Sequence, residues 1–166
     1  MKRLLLLLFV LQALLVPPTF AADVPQAYLD AVKLQEDRTF NENAVLSFVY
    51  NTYYMFDKHV AVDDFLRNLS DKDLLMKFPE AELKNHADFQ KWYKGVGDSI
   101  QSNTHTVQSV KVKMDDDGTF GVHVIVLWQA QSKKGDYMKF KADQNWTLID
   151  DNGRLKIREY LVKEAK

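Results

Sequence analysis

Residues 104–162 read THTVQSVKVKMDDDGTFGVHVIVLWQAQSKKGDYMKFKADQNWTLIDDNGRLKIREYLV, and their pattern decides the fold. Apolar and polar residues alternate in four runs, Val107–Met114, Phe120–Ala130, Tyr137–Ile149 and Leu155–Val162. Period two is the signature of a strand with one buried and one solvated face. The runs are separated by Asp115-Asp116-Asp117-Gly118, Ser132 to Gly135, and Asp150 to Gly153. Such short Gly- and Asp-rich breaks make tight hairpins, so the stretch predicts an antiparallel meander of four long strands. His105, Trp128, Gln129, Gln144 and Trp146 within it read as the lining of a cup.

Upstream the period changes. Val45, Phe48, Val49, Tyr53 and Phe56 recur at helical spacing, with Leu46, Tyr50 and Tyr54 as a second stripe beside them. A helix so apolar around its girth is expected to pack on more than one side. Asn41 or Asn43 suits its N-cap and Asp57-Lys58-His59 its end. A short helix is expected over Val62–Leu69 and a small hairpin over Leu74–Phe78 and Ala81–Lys84. A third helix follows the Asn85-His86-Ala87-Asp88 cap, carrying Phe89, Trp92, Tyr93, Val96 and Ile100. Gly95 and Gly97 within it suggest close packing or a bend. Helices, a hairpin, a helix and then a meander make an α+β chain. A twisted sheet of this kind curls around the long helix and leaves a cavity at its open end.

The first residues have the form of a targeting segment. Lys2 and Arg3 precede an apolar core from Leu4 to Val16, Pro17 and Pro18 break it, and small residues follow. The run is short for the roughly 30 Å of a bilayer. Cleavage after Ala21 or Ala22 is expected, with a periplasmic or secreted product and no membrane association after cleavage. The whole chain has 22 Lys+Arg and 23 Asp+Glu; loss of Lys2 and Arg3 leaves 20 against 23, a net charge near −3. That balance, without a basic cluster, argues against a nucleic-acid binder. There is no cysteine, so an exported product has no disulfide and depends on its apolar core. Residues 25–35 can form an additional short helix presenting Tyr28, Leu29 and Val32.

Several local strings resemble one superfamily. They are Phe56-Asp57-Lys58-His59, Met76-Lys77-Phe78-Pro79-Glu80, Ala87 to Tyr93, His105-Thr106-Val107, Val126 to Ala130, and Trp146-Thr147-Leu148 leading to Asn152-Gly153-Arg154-Leu155. With the element order, they resemble the nuclear transport factor 2-like cone fold in its SnoaL-like branch, over nearly all of the chain after residue 21. The resemblance implies a curved antiparallel sheet, four long strands plus a small hairpin, wrapped around a long N-terminal helix with an internal pocket. It also implies a division into residues 1–21 as signal peptide, 22–43 as helix and connection, and 44–166 as one cone-fold domain.

Relatives of this kind place a catalytic carboxylate in one of two positions. The hairpin position reads Met76, Lys77, Phe78, without an Asp. The position two residues before the strand aromatic Trp146 is Gln144, and Asp143 faces the other side unless a bulge intervenes. The resemblance implies a pocket histidine at His105. Two readings stay open for it: a general base, for which an imidazole with an ordinary pKa of about 6.5 is suited, or a polar cap on a strand end.

The expected ligand-binding set is Tyr50, Tyr54, Trp92, His105, Trp128, Gln144 and Trp146, facing a small apolar or aromatic ligand. No metal site or cofactor is expected, since the four histidines lack ligand spacing. Asp57 and His59, at i and i+2, diverge on a continuing helix and are read as its C-terminus. His86 is read as a capping residue and His123 as packing or surface. A binding or accessory protein, homodimeric through the outer sheet face, is the first expectation. The alternative is a lyase or isomerase using His105 as base with Tyr54 or Gln144 as polariser. A protein-interaction module with a filled cone is the third.

Overall fold

In the computed structural model, residues 40–165 are described. The helical stripe forms α1, Glu42–Lys58, whose N-cap is Asn41: its side chain accepts a hydrogen bond from the Ala44 amide at 2.9 Å. Val45, Val49, Thr52, Tyr53 and Phe56 share the buried face. Thr52, a polar residue in that stripe, is satisfied by donating back to the Phe48 carbonyl at 2.9 Å. The helix stops at His59, whose left-handed backbone (φ 49°) lets its amide N–H reach the carbonyls of Met55 and Phe56. The second stripe does not pack: Tyr50 and Tyr54 are 52% and 57% exposed. The expectation of a helix buried on more than one side is corrected accordingly.

Helix α2, Val62–Leu66, is shorter than the predicted Val62–Leu69, because the chain has left the helix by Leu69 to form a β-bridge with Ile157. Two strands follow, β1 (Leu75–Phe78) and β2 (Ala81–Leu83). Helix α3, His86–Ser99, is capped by Asn85, whose side chain accepts from the Asp88 amide, while Asp88 accepts in turn from the Lys84 amide, both at 2.9 Å. It runs unbroken through Gly95 and Gly97, and a Cβ at either would meet nothing within 4 Å, so neither close packing nor a bend explains them. His86 is no cap: its Nε2 lies 3.1 Å from the Ser70 carbonyl.

The meander consists of β3 (Ile100–Met114), β4 (Phe120–Ser132), β5 (Tyr137–Asp150) and β6 (Leu155–Glu164). β3 starts at Ile100, directly after α3 and seven residues before the predicted Val107, because β4 is long enough to pair back to Ile100 through Ser132. All six strands form one curved, unclosed sheet, in the order β2-β1-β6-β5-β4-β3. It is mixed rather than antiparallel, since β1 lies parallel to β6 with Met76 opposite Tyr160. The direction is set just upstream: the Ile157 amide donates to the Asn68 carbonyl and the Ser70 amide to the Ile157 carbonyl, both at 2.8 Å. Residues 68–70 already run alongside β6 and carry β1 the same way.

The concave face presents Val122, Val124, Val126, Trp146, Leu148 and Ile157 to α1, each at most 2% exposed. At about 1.5–3 kcal/mol per fully buried large apolar side chain, such a core compensates for the absence of disulfides. Helix α3 is fixed chiefly through its first half. Phe89 is fully buried against Phe65 at 5.0 Å between ring centres, and the Tyr93 hydroxyl donates to the Val60 carbonyl at 3.0 Å. Its last turn is tied to the β4–β5 turn, the Lys133 amide and Nζ donating to the Ser99 and Gly97 carbonyls, and between these two anchors α3 borders an open space over the sheet.

Candidate active site

That space is a cavity of about 860 Å³ bounded by α3, the β1–β2 hairpin, the end of α1 and the concave face of the sheet. Strand alternation determines what reaches it. Across the sheet, His105 pairs with Trp128 and Trp128 with Phe140, so these three form one row on the inner face, and all line the cavity. Deeper, Gln144 lies opposite Val124 and Val162, and Trp146 opposite Val122 and Tyr160. At the mouth, Phe78 stacks on Trp92 (4.1 Å, 13°), and the Trp92 indole N–H donates to Glu80 at 3.1 Å.

The end of α1 supplies what the strands lack. Asp57 Oδ1 lies 2.6 Å from His105 Nδ1, and Asp57 Oδ2 accepts the His105 backbone N–H at 3.1 Å. The pair is largely shielded, with side chains 12% (His105) and 22% (Asp57) exposed. A carboxylate only accepts, so Nδ1 carries the ring proton of the neutral imidazole and Nε2 keeps a lone pair. Tyr53 stacks on the same ring at 5.0 Å and Phe56 lies tilted at 5.8 Å, fixing its plane. A helix of period 3.6 puts Tyr53 and Asp57, four residues apart, on one face, which is how one residue pair holds one histidine.

Tyr53 also ties this pair to the floor of the cavity. Its hydroxyl donates to Gln144 Oε1 at 2.7 Å, and the Trp146 indole N–H donates to the same oxygen at 3.1 Å. An indole nitrogen can only donate, so the amide orientation of Gln144 is fixed and its Nε2 hydrogens form the donor end. Burial drives the hydroxyls of Tyr53 and Tyr160 well above the usual tyrosine range, Tyr160 beside Tyr53 adding to the effect on Tyr53. Burial likewise pushes Tyr93 up to about 12. These phenols stay protonated where unfolded ones, near pH 10, do not.

Stability should therefore fall as pH rises above about 10, since the unfolded chain releases protons that the folded one keeps. Urea midpoints at pH 9 and 11.5, with tyrosinate absorbance followed in parallel, check this. The folded protein should show fewer than its seven tyrosines ionised at pH 11.5, and the same number ionised in both states would contradict it.

Of the seven residues expected to bind ligand, Trp92, His105, Trp128 and Gln144 line the cavity. Trp146 stands behind Gln144, 2% exposed, as a support. Tyr50 and Tyr54 point outward from α1, Lys58 Nζ lying 5.9 Å from the Tyr54 ring centre, so Tyr54 cannot act as polariser. One step of about 100° around the helix puts Tyr53 inward and Tyr54 out. Gln129, one residue past inward-facing Trp128, turns to the other face and donates to the Tyr137 hydroxyl. Asp143 also stays on the outer face, paired with His123 at 2.9 Å and Lys163 at 3.5 Å. The β4–β5 register runs unshifted through it, so no bulge brings it inside.

Sequence reasoning missed Asp57, Tyr53 and Asn103. The spacing of Tyr53 and Asp57 on the buried stripe was the available signal. Asp57 and His59 do not diverge, because the helix ends between them and both reach Asn103. Among the described residues, no group of three or more His, Cys, Asp or Glu is placed to hold a metal, and no helix is long and apolar enough to cross a membrane. The expected signal peptide and the helix over residues 25–35 lie outside the described residues.

No protein-family model matches this sequence, and no curated protein is significantly similar to it. Solved structures do match. A scytalone-dehydratase-like protein from Novosphingobium aromaticivorans superimposes with a TM-score of 0.69 at 12% identity, over 84% of this chain and 89% of that one. A type 2 hexachlorocyclohexane dehydrochlorinase gives 0.67 at 10% identity, over 84% and 90%. A nuclear transport factor 2-like protein from Salmonella enterica gives 0.68 at 10%, over 75% and 91%. At such identities the likeness concerns the fold: this chain has the nuclear transport factor 2-like cone fold.

Proposed function

We propose that this cone is an enzyme of the lyase or isomerase type, in which His105 removes a proton from carbon. The observation that carries the reading is the 2.6 Å contact between Asp57 and His105 at the wall of the cavity. It supplies from α1 the carboxylate that is absent at Met76-Lys77-Phe78 and at Gln144. Nε2 of His105 takes the proton, and Asp57 stabilises the imidazolium that forms. The C–H electron pair becomes a new double bond. In an elimination it expels a leaving group, and for a hydroxyl the imidazolium returns its proton so that water departs. In an isomerisation the proton returns to a second carbon. The Gln144 amide, which also donates to the Tyr160 hydroxyl, is the donor for an oxygen that gains charge on the way.

The lining suits a neutral, flat, ring-bearing substrate. Trp92, Phe78, Trp128 and Phe140 offer ring faces, and the charged residues of the lining, Glu80, Glu82, Asp88 and Lys91, all belong to the hairpin and α3 rather than to the sheet floor. Two of the similar structures carry the names of elimination enzymes, a dehydratase and a dehydrochlorinase, which favours elimination over isomerisation. Export through residues 1–21, with cleavage after Ala21 or Ala22, belongs to the same reading. So does a homodimer joined through the outer sheet face, where Ile125, Leu127 and Leu161 are only half-buried.

The test is an absorbance or product assay of the purified protein against cyclic β-hydroxy ketones and halogenated cyclohexanes. His105→Ala should lower kcat by about 10²- to 10⁴-fold with the fold retained. An unchanged rate in that variant would reject the base. The second reading, a binding protein, is favoured by the aromatic mouth of Phe78 on Trp92. It prevails if ring compounds quench tryptophan fluorescence yet none is turned over.

A further inference from the structure

Asp57 and His105 are not the whole of the polar cluster. Asn103, two residues before His105 on β3 and on the same face, donates from Nδ2 to Asp57 Oδ1 at 3.1 Å. Its Oδ1 lies 2.5 Å from His59 Nε2. Because Asp57 can only accept, the Nδ2 end of Asn103 must face it, and the Oδ1 end must face His59. His59 Nε2 therefore donates. The result is one directed chain, His59 to Asn103 to Asp57, with His105 donating into the same carboxylate. Three donors converge on that carboxylate, the Asn103 amide and the His105 ring on Oδ1 and the His105 backbone N–H on Oδ2. The His59 backbone is anchored as the C-cap of α1, its N–H on the Met55 and Phe56 carbonyls.

We propose that Asn103, held by His59, is a positioning residue for the Asp57–His105 pair. Without it, Asp57 keeps both contacts to His105, ring and backbone, but its Oδ1 loses the second donor that holds it in line with the ring N–H. Asn103 also lines the cavity, so a side chain in direct contact with substrate space sets the orientation of the base. The inference rests on the reading of His105 as a base where it concerns turnover, but its structural part does not.

The test uses the purified protein and its variants. The His105 ring N–H, assigned by its loss in His105→Ala, should be slow to exchange in proton NMR. Asn103→Leu and, on the helix side, His59→Phe should each abolish or broaden that resonance while thermal unfolding stays cooperative. Asn103→Asp replaces the Nδ2 donor to Asp57 by an acceptor, while His59 remains against the new side chain, so it should weaken or broaden the same resonance. With an active substrate, Asn103→Leu should lower kcat by about 10- to 100-fold and leave KM within about twofold.

A folded Asn103→Leu variant that keeps the ring N–H resonance, together with an Asn103→Asp variant that keeps it unchanged, overturns the proposal. So does a kcat unmoved in Asn103→Leu but lost in His105→Ala. If the resonance is lost in Asn103→Leu while the wild type turns nothing over, the positioning role stands and the catalytic reading falls.

Discussion

Asp57→Asn should reduce turnover on the order of 10³-fold with little change in KM. An asparagine has the shape of aspartate but not its charge or its two acceptors. Asp57 receives donors on both oxygens, so an amide NH2 placed at either position meets a donor. If it meets His105 Nδ1, the imidazole must move its proton to Nε2, and the lone pair facing the cavity is gone. If it meets the backbone N–H instead, the tautomer survives but the imidazolium has lost its counter-charge. Either outcome disfavours proton abstraction. The unmatched donor also costs stability, about 1–3 kcal/mol. Single-turnover kinetics beside a urea titration separate the two effects. A rate within fivefold of wild type would show that Asp57 does not orient the base.

The largest effect on stability is expected from Trp146→Ala. The indole is 2% exposed, packs edge-on against Tyr53 at 5.4 Å and tilted against Tyr160 at 4.6 Å, and donates to Gln144. Truncation of a buried Trp costs about 3–5 kcal/mol, most of it from the cavity left behind. A domain of this size has about 5–15 kcal/mol in all, so the variant approaches the limit of folding. The melting temperature should fall on the order of 15 °C. Gln144 also loses the donor that fixes its amide, so a variant rescued by low temperature should still bind ring compounds more weakly. A loss below 1 kcal/mol in urea unfolding would mean that Trp146 is not the wedge between α1 and the sheet.

The difference between Tyr53 and Tyr54 shows how far periodicity alone reaches. Both were visible as apolar positions of one helix, and the stripe Val45, Val49, Tyr53, Phe56 identifies the inner face by local geometry. Assigning Tyr54 to the cavity required a second packed side of α1, which is not there. Asp57 fell on the correct face but next to the end of the helix, where capping explains a polar residue just as well. Only the position of β3 distinguishes the two roles.

The sequence by itself determined the element order, the four-stranded meander, the inward set of His105, Trp128, Gln144 and Trp146 (though not Gln129, which faces out), and the helical stripe against them. These follow from the periods of the backbone, 3.6 in a helix and two in a strand, which act over a few residues. Tertiary structure alone decided that β1 lies parallel to β6, that Asp57 meets His105 across 48 residues, and that Tyr53 reaches Gln144 across 91. Those contacts depend on how the sheet curls and where α1 stops along it. Many weak packing terms set such distances together, and no local pattern encodes them.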